Sequence, residues 1–80
     1  MKRDPRAFLS DVIEAGRAIL DAVHGVSLDD YCNSRLIRSS VEREFITIGE
    51  ALTQLSQRDQ ALFGEIEQAP QIISFRNKLT

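Results

Sequence analysis

The stretch IRSSVEREFITIGEALTQL, residues 37–55, decides the fold class of this 80-residue chain. Six large apolar residues recur in it at steps of four, four, three, four and three: Ile37, Val41, Phe45, Ile48, Leu52 and Leu55. This spacing is typical of an amphipathic α-helix, in which positions three and four apart lie on one face. Charged residues occupy the other faces, so we expect one side of the helix to face a core and the rest to face solvent or a partner.

Gly49 lies in the middle of this predicted helix. A glycine in a helix interior costs roughly 1 kcal/mol relative to alanine. Its presence at this position therefore predicts that another stretch of backbone comes close to the long helix there.

Residues 4–25 predict a first helix near residues 5–24. Asp4 offers an oxygen to a free backbone N–H, and Pro5 at the first helical position gives up a donor that has no partner there. Residues recurring at three- and four-residue steps predict one broad face: Phe8, Leu9, Val12, Ile13, Gly16, Ile19, Leu20 and Val23. His24 and Gly25 mark the end, since a cation suits a helix C-terminus and glycine turns left-handed without steric cost.

Three further helical segments follow. Ser27 is the expected cap of a short helix near residues 28–33. Asn33 or Ser34 is expected to start the long helix near residues 34–56. Residues 56–71 read as a polar connector with a small apolar island. Pro70 within them offers the start of a last helix near residues 70–80.

The predicted fold is all-α: an up-and-down helical bundle that forms a single domain over residues 1–80. A chain of this length buries a modest share of its unfolded surface, so a core of its own is marginal. An exposed apolar face on the first helix or the long helix is therefore expected to bury against a second copy, which makes the protein a homodimer.

The amino-acid composition limits the classes of protein to which this chain can belong. Hydrophobic residues make up 42% and charged residues 28%, which is the balance of a folded globular chain and not of a disordered or collagenous one. The net charge of −2 gives no bulk attraction for polyanions, so any nucleic-acid contact needs a local cluster of arginine and lysine. No signal peptide or membrane span is recognisable, and Cys32 has no second cysteine to pair with, so the cytoplasm is expected.

The familiar enzyme motifs are absent from the sequence. It has no glycine-rich phosphate loop, no cysteine and histidine cluster at metal-binding spacing, and no nucleophile with a base nearby, so neither a metal nor another cofactor is expected. His24 is interpreted as a surface residue that suits the helix end. Cys32 is interpreted as a semi-buried small apolar residue, because nothing near it in sequence would stabilise a thiolate.

Arginines and one lysine remain as candidates for phosphate contacts. Arg35 and Arg38 lie one helical turn apart and could touch phosphates, although a solvated helix face is the more usual explanation of such a pair. Arg76 near the end of the last helix could simply favour the helix dipole and pair with Glu50 or Asp30. Lys78 is either a solvated charge or a source of nonspecific attraction for RNA.

Two segments, VEREFITIGEAL at residues 41–52 and ISFRNKL at residues 73–79, resemble the HepT-like branch of the HEPN superfamily. These are small all-helical ribonuclease toxins that pair with minimal nucleotidyltransferase (MNT-type) antitoxins. The residues that fit the family pattern are Arg43, Ile48, Gly49, Glu50 and Ala51 in the long helix, and Phe75, Arg76, Asn77 and Leu79 in the last one. The helical layout fits over essentially the whole chain.

The resemblance implies an active site made of an arginine, four to six further residues and a histidine, with an asparagine after the arginine and a tyrosine two places beyond the histidine. Arg76 and Asn77 match its first half, and residues 77–80 supply four of the intervening positions. The histidine and tyrosine do not follow within residues 1–80. The expectation is therefore that the C-terminal part of the family domain is missing and that these eighty residues cleave RNA poorly or not at all.

The chemistry of RNA cleavage explains why such an active site contains a histidine and an arginine. Metal-independent RNA cleavage uses the 2′-hydroxyl as nucleophile and needs a group that moves protons near neutral pH, for which histidine is suited. It also needs a fixed positive charge on the phosphate, and the planar fork of arginine holds two phosphate oxygens at once. Asn77 could orient Arg76 or cap the end of its helix.

Two functions of different class are left open. The first is a HepT-like endoribonuclease toxin that acts as a homodimer on RNA and is restrained by an MNT-type nucleotidyltransferase. The second is a non-catalytic helical module for dimerisation or partner binding, which would still recognise the antitoxin through its helices. No membrane partner is expected in either case.

Overall fold

A computed structural model describes residues 3–79, and every regular element in that range is an α-helix. The helices are α1 (Pro5–Val23), α2 (Leu28–Asn33), α3 (Arg35–Arg58), α4 (Gln60–Gly64) and α5 (Ala69–Leu79). The predicted all-α helical bundle is thereby confirmed. Thr80, the last residue of the predicted C-terminal helix, lies outside the described residues.

Three predicted helix starts are confirmed by their capping hydrogen bonds. The Asp4 carboxylate accepts from the Arg6 backbone N–H at 2.9 Å, and the hydroxyls of Ser27 and Ser34 accept from backbone N–H groups three residues on. Hydrogen bonds from the Arg6 side chain and backbone lower the pKa of Asp4 to about 2. Because this pKa is depressed, the stabilisation from the Asp4 carboxylate is present above its ordinary pKa and is lost as the pH falls towards 2.

The chain between α3 and α5 differs from the prediction. Residues 56–71 were expected to form a connector, but Asp59 caps a short helix there, its carboxylate accepting from the Leu62 N–H at 3.0 Å. An aspartate followed three residues later by the apolar pair Leu62 and Phe63 is the signal that would have predicted α4. The ends of the neighbouring helices also shift slightly, since α3 continues to Arg58 and α5 begins at Ala69.

α3 is the central helix, and each of the other four packs against it. Its 24 residues extend about 36 Å at 1.5 Å per residue, which nearly spans the longest dimension of 41 Å. α1 runs antiparallel to α3, because Phe8 near the start of α1 meets Arg58 at the end of α3. α5 also runs back along α3, so that Phe75 packs edge-to-face on Phe45 with ring centroids 5.3 Å apart.

The core lies along the predicted apolar face of α3. Leu52 and Leu55 are the large side chains sealed most completely, and Phe8 and Ala15 of α1 and Ala69 of α5 close over them. α1 contributes less to the core than its broad apolar pattern suggested. Ile13 and Leu20 belong to that pattern but are 54% and 68% exposed.

Leu55→Ala should lower the free energy of unfolding by about 2–5 kcal/mol, because Leu55 is fully buried and its loss leaves a cavity that the helices cannot close. Urea unfolding followed by circular dichroism measures the effect. Leu36→Ala in the same helix is the matched control, since Leu36 is 81% exposed and its removal should change the value by less than about 0.5 kcal/mol. Equal losses in the two variants would contradict this account of the core.

Candidate functional site

An open cavity of about 430 Å³ lies over the outer face of α3. α3 contributes Thr47, Glu50 and Gln54 to it, at steps of three and four that place them on one face of the helix. The start of α1 forms one wall through Arg3, Phe8 and Asp11, and Arg76 of α5 reaches in from the other side. The volume falls within the range of about 300–1,000 Å³ that is usual for small-molecule sites.

The sequence places Arg76 at this cavity through two features of the helices. α5 is held against α3 by Ala69, which has no exposed surface, and by the ring contact between Phe75 and Phe45. Gly49 then leaves room for the Arg76 stem, because a Cβ built on Gly49 would lie 2.5 Å from the Arg76 Cβ. The sequence predicted a close approach at Gly49, but the nearest atoms belong to the Arg76 side chain and not to backbone.

The Arg76 guanidinium is half-buried and is not neutralised by any described carboxylate. Its Nη1 donates a hydrogen bond of 2.9 Å to the Asn77 Oδ1. Within residues 3–79, no ion pair within 4.0 Å joins Arg76 to Glu50 or Asp30, the pairing that was the alternative explanation for this residue. Its Nε is buried and makes no hydrogen bond to any described residue.

The other cation at the cavity is already paired. Arg3 and Asp11 form a salt bridge of 2.8 Å, and the hydrogen bond that Arg3 donates to the Asp11 carboxylate raises the pKa of Arg3. Glu50 is exposed at the same cavity, so the lining carries two positive and two negative side chains. Anion binding here therefore depends on the directed N–H groups of Arg76 more than on a general positive field.

This arrangement suits a phosphate group. A guanidinium offers several N–H donors in one plane and holds two phosphate oxygens together. A buried donor without an acceptor costs about 1–3 kcal/mol, and such groups in folded proteins call for an explanation such as a functional role. Arg76 combines both properties at the edge of an open cavity.

Asn77 is the predicted site residue that the structure places beside Arg76, and its oxygen accepts from the guanidinium, as orientation of the arginine requires. The other candidates lie elsewhere. Arg35 and Arg38 precede Gly49 by 14 and 11 residues on α3, about 21 and 16 Å along the helix axis. Arg38 donates to the Cys32 carbonyl.

Lys78 lies apart from the Arg76 cavity as well. It is exposed and lines a separate groove with Ser74 and Phe75 of the same helix. Two residues correspond to a rotation of about 200° on a helix, so Lys78 and Arg76 point from nearly opposite sides of α5.

The single histidine and the single cysteine are both remote from the cavity. His24 is exposed just after α1, 16 residues beyond Phe8 and thus about 24 Å along the helix axis. Cys32 is exposed, so its interpretation as a semi-buried residue was wrong. The reason is that α2 is only six residues long and none of them is buried.

Several cavity residues were missed from the sequence. Thr47, Glu50 and Gln54 form a polar row on α3, and their spacing was a usable signal, although the sequence suggested only a solvated face. Arg3 and Asp11 carried no signal, because their presence at the cavity depends on how α1 lies across α3.

Two curated proteins of Methanocaldococcus jannaschii are similar to this chain. The one named "Putative RNase MJ1380" is 34% identical over 50 residues, which cover 62% of this chain and 46% of that protein. The one named "Putative RNase MJ0127" is 32% identical over 56 residues, which cover 70% of this chain and 46% of that protein. The matches thus span less than half the length of either relative.

Two further comparisons, with family models and with solved structures, found no match to the chain. Within residues 3–79, no helix is both long and apolar enough to cross a membrane. The same residues bring together no group of three or more histidine, cysteine or acidic side chains able to hold a metal ion.

The interpretation of this cavity as a phosphate site predicts that Arg76→Ala weakens binding of a short single-stranded RNA, used as a phosphate-bearing probe, by about tenfold or more, because charge-assisted hydrogen bonds contribute about 1.5–3 kcal/mol. Glu50→Gln should act in the opposite direction, since it removes a negative charge from the same cavity, and tighten binding about twofold. Fluorescence anisotropy at fixed low salt measures both changes.

Arg35→Ala is the control for this pair of variants, because it removes the same charge at a distance from the cavity. It should lower RNA affinity only slightly. If Arg35→Ala and Arg76→Ala weaken binding equally, the cavity has no special role and the arginines act only through net charge.

Proposed function

We propose that this chain is part of a metal-independent endoribonuclease of the HepT-like type, in which Arg76 holds the phosphate to be cleaved and Asn77 orients Arg76. The observation that carries the proposal is the position of Arg76, whose guanidinium lies at an open cavity without a carboxylate partner among the described residues. The resemblance of residues 41–52 and 73–79 to that family supports it. So do two similar proteins that are named as RNases.

The reaction breaks one phosphodiester bond by internal attack. The 2′-oxygen loses its proton to a base and forms a bond to the neighbouring phosphorus, and the bond from phosphorus to the 5′-oxygen breaks. The departing oxygen takes a proton, so the products carry a 2′,3′-cyclic phosphate and a 5′-hydroxyl. Arg76 stabilises the negative charge that builds up on the non-bridging oxygens, through donors that are already oriented by Asn77.

A histidine, the side chain suited to proton transfer near neutral pH, is not at this cavity among residues 3–79. His24 is the only histidine in the eighty residues, and it lies too far along α1 to reach a phosphate held by Arg76. Removal of a general acid or base costs about 10²–10⁴ in rate. We therefore expect residues 1–80 by themselves to bind RNA but to cleave it poorly.

Added imidazole should accelerate RNA cleavage by the 80-residue protein, because it supplies the proton-transfer group that the cavity needs. Gel electrophoresis of a labelled RNA measures the rate, and mass spectrometry of the fragments should show cyclic phosphate ends. Imidazole with Arg76→Ala protein, and imidazole without protein, are the controls and should give equal low rates. Rapid cleavage without imidazole that survives Arg76→Ala would contradict the proposal.

We propose a homodimer formed through α1. Ile13 and Leu20 are exposed and lie about two helical turns apart, so both project from one side of α1; we call this pair the α1 stripe. Asp11 of the cavity lies on the other side of the helix from this stripe. A dimer that buries the α1 stripe therefore leaves both cavities open to RNA.

Leu20→Glu should shift the protein towards the monomer, because a carboxylate would be placed in the proposed apolar interface. Sedimentation at micromolar concentration measures the change. Leu36→Glu is the control, since Leu36 is exposed on α3 outside the α1 stripe, and it should leave the dimer intact. A wild-type protein that sediments as a monomer would rule out the interface.

The partner that we propose for restraint is a nucleotidyltransferase of the MNT type, as the resemblance implies, and we place the pair in the cytoplasm. In that family, AMP is attached to a tyrosine that follows the active-site histidine. Tyr31 is the only tyrosine in residues 1–80, and it lies on α2 far in sequence from Arg76. Residues 1–80 are therefore expected to bind such a partner without being modified at the family's position.

Lys78, Arg35 and Arg38 are proposed only as secondary RNA contacts. Lys78 and Arg35 are exposed and Arg38 is half-buried, and all three lie outside the Arg76 cavity. They would add salt-sensitive, sequence-independent attraction along the RNA backbone.

A further inference from the structure

We propose that Gly49 is a positioning residue for Arg76: the lack of a side chain at residue 49 lets the Arg76 stem cross α3 and deliver its guanidinium to the cavity. This inference rests on the proposed function for the role of Arg76. The geometry that supports it does not depend on that function.

The space around Gly49 is filled by Arg76. A Cβ placed on Gly49 would lie 2.5 Å from the Arg76 Cβ, 2.6 Å from its Cγ and 3.4 Å from its Cδ. Carbon atoms in contact are ordinarily about 3.5–4.0 Å apart. Any other residue at position 49 would thus force the Arg76 stem to move by about 1 Å or more.

The Arg76 stem cannot avoid such a clash by rotation alone. A change of χ1 moves Cγ and Cδ, but the Arg76 Cβ is fixed to the backbone of α5. α5 itself is held against α3 on the N-terminal side of this point, by buried Ala69 and by the packing of Phe75, the residue next to Arg76, against Phe45. The displacement must therefore be taken up where α5 carries Arg76, at the edge of the cavity.

The other glycines show that this contact is specific. A Cβ on Gly16 or Gly64 would meet nothing within 4 Å, and Gly25 is required for another reason, its positive φ of 71°. Gly49 is buried inside a regular helix, where glycine is among the least favourable residues. A glycine at residue 49 disfavours the helix, but it is explained by the Arg76 side chain, which occupies the space that a Cβ would need.

A displacement of about 1 Å matters for a group that must align with a phosphate. Misplacement by that distance can cost about a hundredfold in rate. The phosphate-gripping role of Arg76 thus depends on a residue that has no side chain to contact RNA and lies on a different helix.

The test compares Gly49→Ala with Gly64→Ala, which adds the same methyl group to a helix glycine where it meets nothing within 4 Å. NMR of the arginine Nε–H groups gives a readout that does not require RNA, and the Arg76 signal is assigned by its loss in Arg76→Lys. The Arg76 Nε is buried in the wild type, so its hydrogen should exchange slowly with water. Gly49→Ala should shift this signal and speed its exchange, whereas Gly64→Ala should leave it unchanged.

RNA affinity, measured by anisotropy, completes the test. Gly49→Ala should weaken binding about tenfold, as Arg76→Ala does, and the double variant should be no weaker than Arg76→Ala alone. If the NMR changes occur but the wild type binds no RNA, the positioning inference stands and the proposed function fails. A Gly49→Ala protein with wild-type NMR signal and wild-type RNA affinity overturns the inference.

A stability measurement covers the case in which Gly49→Ala weakens the fold. Any drop in melting temperature should disappear when the same substitution is made in Arg76→Gly protein, because the colliding side chain is then absent. An equal drop in both backgrounds would show that Gly49 serves helix packing in general and not Arg76, which also overturns the inference.

Discussion

The burial of Leu52 and Leu55 is the interaction on which the rest of this structure depends, because it holds both α1 and α5 against α3. With only a small apolar core available to an 80-residue chain, the positions of the outer helices are set by how closely they can approach α3. Small residues decide that approach at two points, Ala15 on α1 and Gly49 on α3. The cavity forms where polar residues replace apolar ones on the outer face of the same helix.

The candidate site follows from that packing. The α1 end of the cavity carries a neutralised pair, Arg3 with Asp11, whereas the α5 side carries Arg76 with its guanidinium turned to Asn77 and to open space. Arg76 is partly desolvated, and no described carboxylate pairs with it. Such a cation is suited to bind an anion from solution. Because Glu50 lies at the same cavity, the proposed phosphate site depends on the directed donors of Arg76 and not on a general positive field.

Much of the fold could be predicted because local signals were consistent. Asp4, Ser27 and Ser34 are capping residues placed just before apolar periodic stretches, and each starts a helix as expected. α4 was missed because its five residues are too few to show a period, although Asp59 marks its start. The exposure of Cys32 was missed because burial of a short helix depends on its neighbours and not on its own pattern.

The sequence alone determined α1, α2, α3 and α5, the apolar face of α3, and the two residues, Arg76 and Asn77, that match the first half of the active-site pattern in the family that the chain resembles. These features are local, since capping and helical periodicity act over a few residues and a motif is read from neighbouring positions. Only the tertiary structure decided that Arg76 lies over Gly49, that it lacks a carboxylate partner among the described residues, and that Arg3 and Asp11 share its cavity. Those facts depend on distances between helices, which are set by the packing of side chains far apart in the chain.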